Sequence, residues 1–393
     1  MGTPQGDYRS LFSLPPESHY LNCAFMAPAS KRVAAAGRQA LERIEAPARL
    51  GIADFFEPSS RVRQLFAQII GASDPDRVAI IPSVSYAMAT IARNTPLAPG
   101  QTVVVVEEQF PSVVYTWRRA CSEAGATLRT VAAPETAGSR AEAWNTALLD
   151  AIDERTAVVA IPELHWTDGA RFDLAAVGAR ARAVGARLVI DGTQSVGALP
   201  LDVGRIRPDA VACAGYKWLT GPYSVGAAWY GPAFDGGTPI EENWITRPDS
   251  DHFNELVNYR DDYRPGAIRY DVGERSNFVL LPMFEAALEQ VRDWKPETVA
   301  AHTRALTDRV VPRLRELGCR IEDARWRAGH LLGVRLPDGA DIPQLGRNLA
   351  ERNVSVSLRG GAIRIAPHLY NDAADLDVLL DVLCAVLAGA VRA

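Results

Sequence analysis

From about residue 78 onward the chain repeats one pattern: a short apolar run, a polar turn, then a stripe of apolar residues at helical spacing. The runs Val78–Ile81, Val103–Val106, Leu128–Val131 and Ala157–Ile161 read as strands, as do those ending near Asp191 and Lys217 and the run Val225–Tyr230. Between them Val84–Asn94, Pro111–Glu123, Ser139–Ile152 and Leu174–Val184 read as helices. Continuous apolar runs of this length mark strands buried on both faces. Their alternation with helices predicts βαβ units, hence an α/β fold: a mostly parallel sheet covered by helices on both faces.

The ends of the chain read differently. His19–Ser30 looks like an extended arm that turns at Pro28, with Ser30 capping a helix through about Ile44. A second helix is expected to start near Pro58, with Val62, Leu65, Phe66, Ile69 and Ile70 forming its buried stripe. After Gly231 the pattern loosens into a polar excursion, Gly236–Pro265. Helices Leu281–Trp294 and Glu297–Leu317, strand Leu331–Leu336, a helix from Ile342, strands Val354–Ser357 and Ala362–Ile365 and a last helix from Ala374 suggest a smaller α+β domain. The expected organisation is an arm (1–30), a large domain (31–280) and a small C-terminal domain (281–393).

Composition narrows the class. The 393 residues are 48% hydrophobic and 23% charged with net charge −5, ordinary for a globular protein. No Lys/Arg-rich block stands out, which argues against nucleic acid as a partner. The five cysteines show no paired spacing and read as reduced thiols of a cytoplasmic protein, not as a disulfide framework or zinc site. Met1–Asp7 lacks the basic and apolar regions of a signal peptide, and the final helix, Val378–Val391, is short and interrupted by Asp381. No membrane association is expected.

The candidate chemistry sits at two strand ends. In an open α/β sheet, ligands bind outside the carboxyl ends of the strands. Asp191 and Lys217 end two such runs, so a carboxylate and an amine are expected at one rim. Taken alone, an Asp and a Lys can equally be a buried ion pair or two unrelated charges. With glycines beside both, the pair suits pyridoxal phosphate (PLP), whose aldehyde attaches to a lysine amine and whose ring nitrogen needs a carboxylate to stay protonated. Gln194 is in reach of the ring hydroxyl. The turn Pro82–Ala87 passes from a strand to a helix N-terminus, a ready phosphate site in which Ser85 adds a hydroxyl and Val84 its backbone. The same serines also read as plain helix caps.

The wording around these residues is specific. Asp191-Gly192-Thr193-Gln194-Ser195-Val196-Gly197, Pro200-Leu201-Asp202-Val203 and Gly215-Tyr216-Lys217-Trp218-Leu219-Thr220-Gly221-Pro222 resemble the class V aminotransferase family of fold-type I PLP enzymes. That family includes cysteine desulfurases, kynureninases and isopenicillin-N-epimerase-like proteins. The resemblance implies PLP as cofactor, an α-amino acid as substrate and a homodimer with its active site at the subunit interface. It implies Lys217 and Asp191 as catalytic residues. Phe110 falls where the family stacks a ring on the pyridine. His165 falls near the family's asparagine contact, with Trp166 and Thr167 one register step away. Tyr216 stands where many desulfurases have histidine, and Ala214 where they have serine. Ser276 and Asn277 fall in a turn that reaches the neighbouring subunit's phosphate.

Gly361–Asn371 resembles the family's arginine strand, which makes Arg364 the expected ligand of the substrate α-carboxylate and Arg359 a second candidate. Asn22 through Phe25 are candidates for the substrate pocket. The loop Ser355–Gly361 lacks the nucleophilic cysteine of the desulfurases, which argues against a persulfide mechanism there. The expected activity is that of a transaminase or a Cβ-eliminating (C–S) lyase; the alternatives are an amino-acid epimerase or a non-catalytic PLP-fold binding protein. A nucleotide-binding fold is disfavoured, because neither a Walker A nor a GxGxxG turn follows the first strands.

Overall fold

The structure is a computed structural model that describes residues 7–136, 138–359 and 361–387. Gly360 of the expected loop, Met1–Gly6 of the arm and the end of the last helix lie outside the described residues. In chain order the elements are β1 (His19–Tyr20), α1 (Lys31–Ile44), α2 (Ile52–Ile69), β2 (Val78–Ile81), α3 (Val84–Arg93), β3 (Thr102–Val106), α4 (Pro111–Ala124), β4 (Thr127–Val131), α5 (Arg140–Ala151) and β5 (Thr156–Pro162). They continue with α6 (Leu174–Ala183), β6 (Arg187–Asp191), α7 (Val203–Ile206), β7 (Ala210–Ala214), β8 (Gly226–Tyr230), α8 (Leu280–Trp294) and α9 (Pro296–Glu316). The last are β9 (Leu332–Arg335), α10 (Ile342–Glu351), β10 (Val354–Ser355), β11 (Ser357–Arg359), β12 (Ala362–Ile365) and α11 (Ala373–Leu387).

A seven-stranded sheet in the order β2-β8-β7-β6-β5-β3-β4 forms the centre, as the α/β expectation requires. Its pairs are parallel except where β8 runs antiparallel to both neighbours. Successive side chains of a strand point to opposite faces, so an all-apolar run feeds two cores. Ile80, Val104, Ile190 and Val211 pack on one face with Val62 and Phe66 of α2 and Phe284 and Leu288 of α8. Ala79, Ile81, Val103, Val105 and Val189 pack on the other with Met88 of α3 and Trp117 of α4. Both faces are therefore dry, and polar chemistry is left to the strand ends.

Local signals explain the helix limits. Ser30 accepts from Val33 N at 3.2 Å and opens α1 as expected. Pro111 starts α4, and Gly125 ends it in a left-handed conformation (φ 68°) that side chains rarely adopt. α2 begins at Ile52, six residues before the expected start at Pro58. Asp54 accepts from Gly51 N at 2.8 Å and caps the first turn, and Pro58 stands inside the helix at the loss of one backbone bond.

The C-terminal elements build a separate core from Leu306, Val310, Leu345, Ile363, Leu376 and Leu383 around the antiparallel sheet β11-β12-β9. The arm joins this core: β1 pairs with β10, and Leu21 is buried there. The expected strand Val354–Ser357 is two strands, because Val354–Ser355 pairs with the arm and Ser357–Arg359 with β12. From the sequence, the small domain is expected to begin at residue 281. Leu281, Phe284, Leu288 and Val291 of α8 pack in the core of the large sheet, so the change of core falls after α8.

Candidate functional site

The strands β2, β3, β5, β6 and β7 all deliver their following turns to one edge of the sheet. A cavity of about 280 Å³ opens there, lined by Ser83–Ser85 after β2, Phe110 and Ser112 after β3, Trp166 after β5, Asp191, Thr193 and Gln194 at β6, and Ala214, Tyr216 and Lys217 at β7. Tyr223 and Ser224 complete the wall.

Asp191 is the last residue of β6 and is buried. Its Oδ1 accepts from Thr193 N at 3.0 Å, and burial pushes its carboxyl above the usual range against the pull of Thr193 and Lys217. The turns after β6 and β7 are tied together. Gly192 N donates to Ala212 O (2.8 Å), and Ala214 N to Thr193 Oγ1 (3.4 Å). Gly197, at φ 95°, passes so close to the Trp218 carbonyl that a Cβ would lie 2.5 Å from it. These contacts hold the two ionisable groups on one floor.

The chain has three lysines, Lys31, Lys217 and Lys295, and of these only Lys217 is buried. Its Nζ lies 5.7 Å from the ring centroids of both Phe110 and Tyr216. Burial pushes its amine down to about 8; Asp191 opposes the shift and Arg364 adds to it. Cys23 lies close behind, and burial holds its thiol up at about 12, far from a thiolate at neutral pH.

At the far end α3 begins. Ser83 caps it, accepting from Tyr86 N at 3.2 Å, and shares a hydrogen bond of 2.9 Å with Ser85. Ser83 is therefore the cap, which leaves Ser85 and the backbone N–H groups of Val84 and Ser85 facing the cavity. Gln194 also lines it, but its amide is largely committed: Nε2 donates to Ala24 O (3.2 Å) and Oε1 accepts from Trp218 Nε1 (2.9 Å).

Arg364 comes from the C-terminal sheet. It is almost fully buried, donating from one amine to Trp166 O (2.6 Å) and from the other to Ser357 Oγ (3.1 Å). Ser357 Oγ in turn donates to Asn22 Oδ1 at 2.9 Å. Arg364 Nε is buried with no hydrogen-bond partner among the described residues. Burial, with Arg359 nearby, pushes the guanidinium down to about 10. Asn22 thus stands behind Arg364, aligning it through Ser357.

Three expected residues lie away from the cavity. His165 does not face the cavity. It is fully buried, with Nε2 on Glu107 O (3.0 Å), Nδ1 on Thr167 Oγ1 (2.8 Å) and its ring 4.9 Å from that of Trp144. Alternation after β5 turns Trp166 inward in its place. Ser276 and Asn277, expected at the neighbouring subunit's phosphate, do not line this cavity within the chain. Ser276 Oγ donates to Phe55 O (2.7 Å), and Asn277 Oδ1 accepts from Val279 N and Leu280 N at the start of α8. Sequence reading missed Thr193, Ser112, Tyr223, Ser224 and Ser357. Thr193 carried a local signal, an Asp-Gly-Thr turn; Ser357 depends on a strand register that spacing alone does not give.

A PLP-sized group has what it needs here: one buried amine, a carboxylate on the same floor, helix N–H groups and hydroxyls at one end, and an orphaned guanidinium nitrogen beyond. The family model for aminotransferase class V matches residues 27–379, and the chain belongs to that family. It is 27% identical to isopenicillin N epimerase of Streptomyces clavuligerus over 83% of this chain and 84% of that protein. It is 24% identical to a probable cysteine desulfurase of Streptomyces coelicolor, covering 92% and 90%. Among solved structures it is similar to a lysine-to-alanine mutant of C-DES with glycine covalently linked to the PLP cofactor (TM-score 0.84, 19% identity, 96% of this chain and 99% of that one).

Proposed function

We propose that this chain is a PLP-dependent enzyme acting at Cα or Cβ of an α-amino acid, as a transaminase or a Cβ-eliminating (C–S) lyase. One observation carries the reading: the single buried lysine shares its cavity floor with a buried aspartate. Lys217 would hold PLP covalently and Asp191 would face its ring nitrogen. Ser85 and the start of α3 would take its phosphate, and Phe110 and Tyr216 would flank the ring. PLP, when bound, supplies an electron sink for the pair left on Cα.

The protein's own part is proton control and orientation. Lys217, its amine held below the usual lysine range, can take a proton from Cα and return it near neutral pH. Arg364, with an unused Nε, fixes the substrate α-carboxylate and so the bond presented to the ring. Phe110 and Trp166 screen that bond from water. The hairpin before Arg364 has serines where the persulfide route needs cysteine, which disfavours a desulfurase. Epimerisation is the second reading, favoured by the likeness to the S. clavuligerus epimerase along most of both chains.

A homodimer belongs to the same reading. Val257 and Tyr259 stand exposed on the excursion, and Ser276 and Asn277 would face a partner's phosphate there. Among the described residues no helix is long and apolar enough to cross a membrane, and a cytoplasmic enzyme is proposed. The test is direct. The protein purified with PLP should be yellow, and amino acids added singly should yield a keto acid, sulfide with ammonia, or the opposite enantiomer. A colourless protein that changes none of them would refute the reading.

A further inference from the structure

The hairpin β11–β12 carries more positive charge than an α-carboxylate needs. Its register pairs Ser357 with Arg364 and Arg359 with Ala362. All four therefore lie on one face, with Arg359 diagonal to Arg364. Both arginines converge on Trp166: Arg364 donates to its carbonyl at 2.6 Å, and the Arg359 guanidinium lies 5.1 Å from its ring centroid. Trp166 is held in turn, donating from Nε1 to Glu108 O (2.7 Å) and meeting Phe110 edge-on at 5.6 Å. Arg359 lines a second groove and meets the Lys217 cavity only at Trp166, a residue of that cavity's wall.

Among the described residues its charge has no ion-pair counterpart. Glu108, Asp168 and Asp338 line the same groove, yet among the described residues none is ion-paired with Arg359. Asp168 is already engaged by Arg140 (2.6 Å) and Arg335 (3.6 Å). Arg320, Arg335 and Arg359 line that groove together. A guanidinium held near an indole ring still has N–H donors to offer a carboxylate.

We propose that Arg359 binds a second carboxylate of the substrate, so that the enzyme takes an α-amino acid whose side chain ends in an acid group. The proposal rests on the reading above, which places the α-carboxylate at Arg364. Diagonal neighbours on a hairpin are roughly 7–8 Å apart at the backbone, a span that a few methylenes bridge.

Calorimetric titration of the full chain, purified with its cofactor, with glutarate and with valerate separates the two sites. Glutarate should bind at least about tenfold more tightly than valerate, one added charge-assisted contact. Arg359→Ala and Arg359→Gln should bring glutarate to the level of valerate while moving valerate by less than about twofold. Arg359 is exposed, so both variants should fold. Equal binding of the two acids by the parent protein, or equal weakening of both by Arg359→Ala, would overturn the proposal. Failure of the underlying reading looks different: Arg364→Ala would then leave valerate binding intact.

Discussion

The floor of the cavity and its far wall were built by different means. The floor, Asp191 and Lys217, stands at the ends of two adjacent parallel strands, cross-linked by backbone bonds between their turns. The wall, Arg359 and Arg364, stands on a separate antiparallel sheet and reaches the cavity through Trp166. A floor embedded in the sheet can hold a group rigidly. A wall that belongs to another core can orient what approaches. The two regions should therefore fail differently when altered: the floor in turnover, the wall in affinity.

The largest effect should come from Lys217→Ala. With no other buried lysine to replace it, turnover should fall by about 10³-fold or more in steady-state assays, whatever the substrate concentration. Asp191→Asn should lower kcat by about 100-fold. It should also move the pH dependence of PLP capture. The neutral amine of Lys217 attacks, so capture should rise with pH through about 8 rather than 10.5. Asp191 favours the charged amine; without it the midpoint should shift to lower pH. A midpoint that stays in place would separate the two residues and break the idea of a common floor.

Arg364→Ala should leave kcat within about threefold and raise KM by about ten- to a hundredfold, the value of a charge-assisted pair. A kcat loss matching that of the floor would erase the contrast.

What the sequence disclosed follows the same division. Strand ends in a parallel sheet are local events, so Asp191, Lys217 and the Ser83–Ser85 turn were all legible from apolar runs and the residues that stop them, while Phe110 was placed by resemblance. Arg364 was reached by resemblance, and the roles of Ser357 and Trp166 waited on pairings between β11 and β12 and between Trp166 and Arg364, which are distant in sequence. His165 misled because the residue pattern after β5 does not say which neighbour turns inward. Asn22 was expected on the substrate and instead supports Arg364 at one remove, a relation only the packing of the arm reveals.

Beneath the floor lie two buried histidines, His330 on Gln194 O (2.8 Å) and His368 with no partner on either ring nitrogen among the described residues. Burial pushes them down to about 4 and about 3 from the usual 6.5. The unfolded chain takes up protons from about pH 6.5 downward while the folded one resists. Stability should thus be complete above that pH and be lost progressively as it falls towards about 4, with urea midpoints dropping accordingly. His165→Asn is the smallest test of function: it should cost about 1–3 kcal/mol of stability in urea melts and leave KM within about twofold, since it packs away from the cavity.

The central claim is that one amine, Lys217, anchors the cofactor. Borohydride reduction of the PLP-loaded protein followed by peptide mass mapping tests it most directly, because the chain offers only Lys31, Lys217 and Lys295 as side-chain amines. A single reduced adduct is expected on the peptide that carries Lys217; an adduct on Lys31 or Lys295, with Lys217 unmodified, would contradict this anchoring.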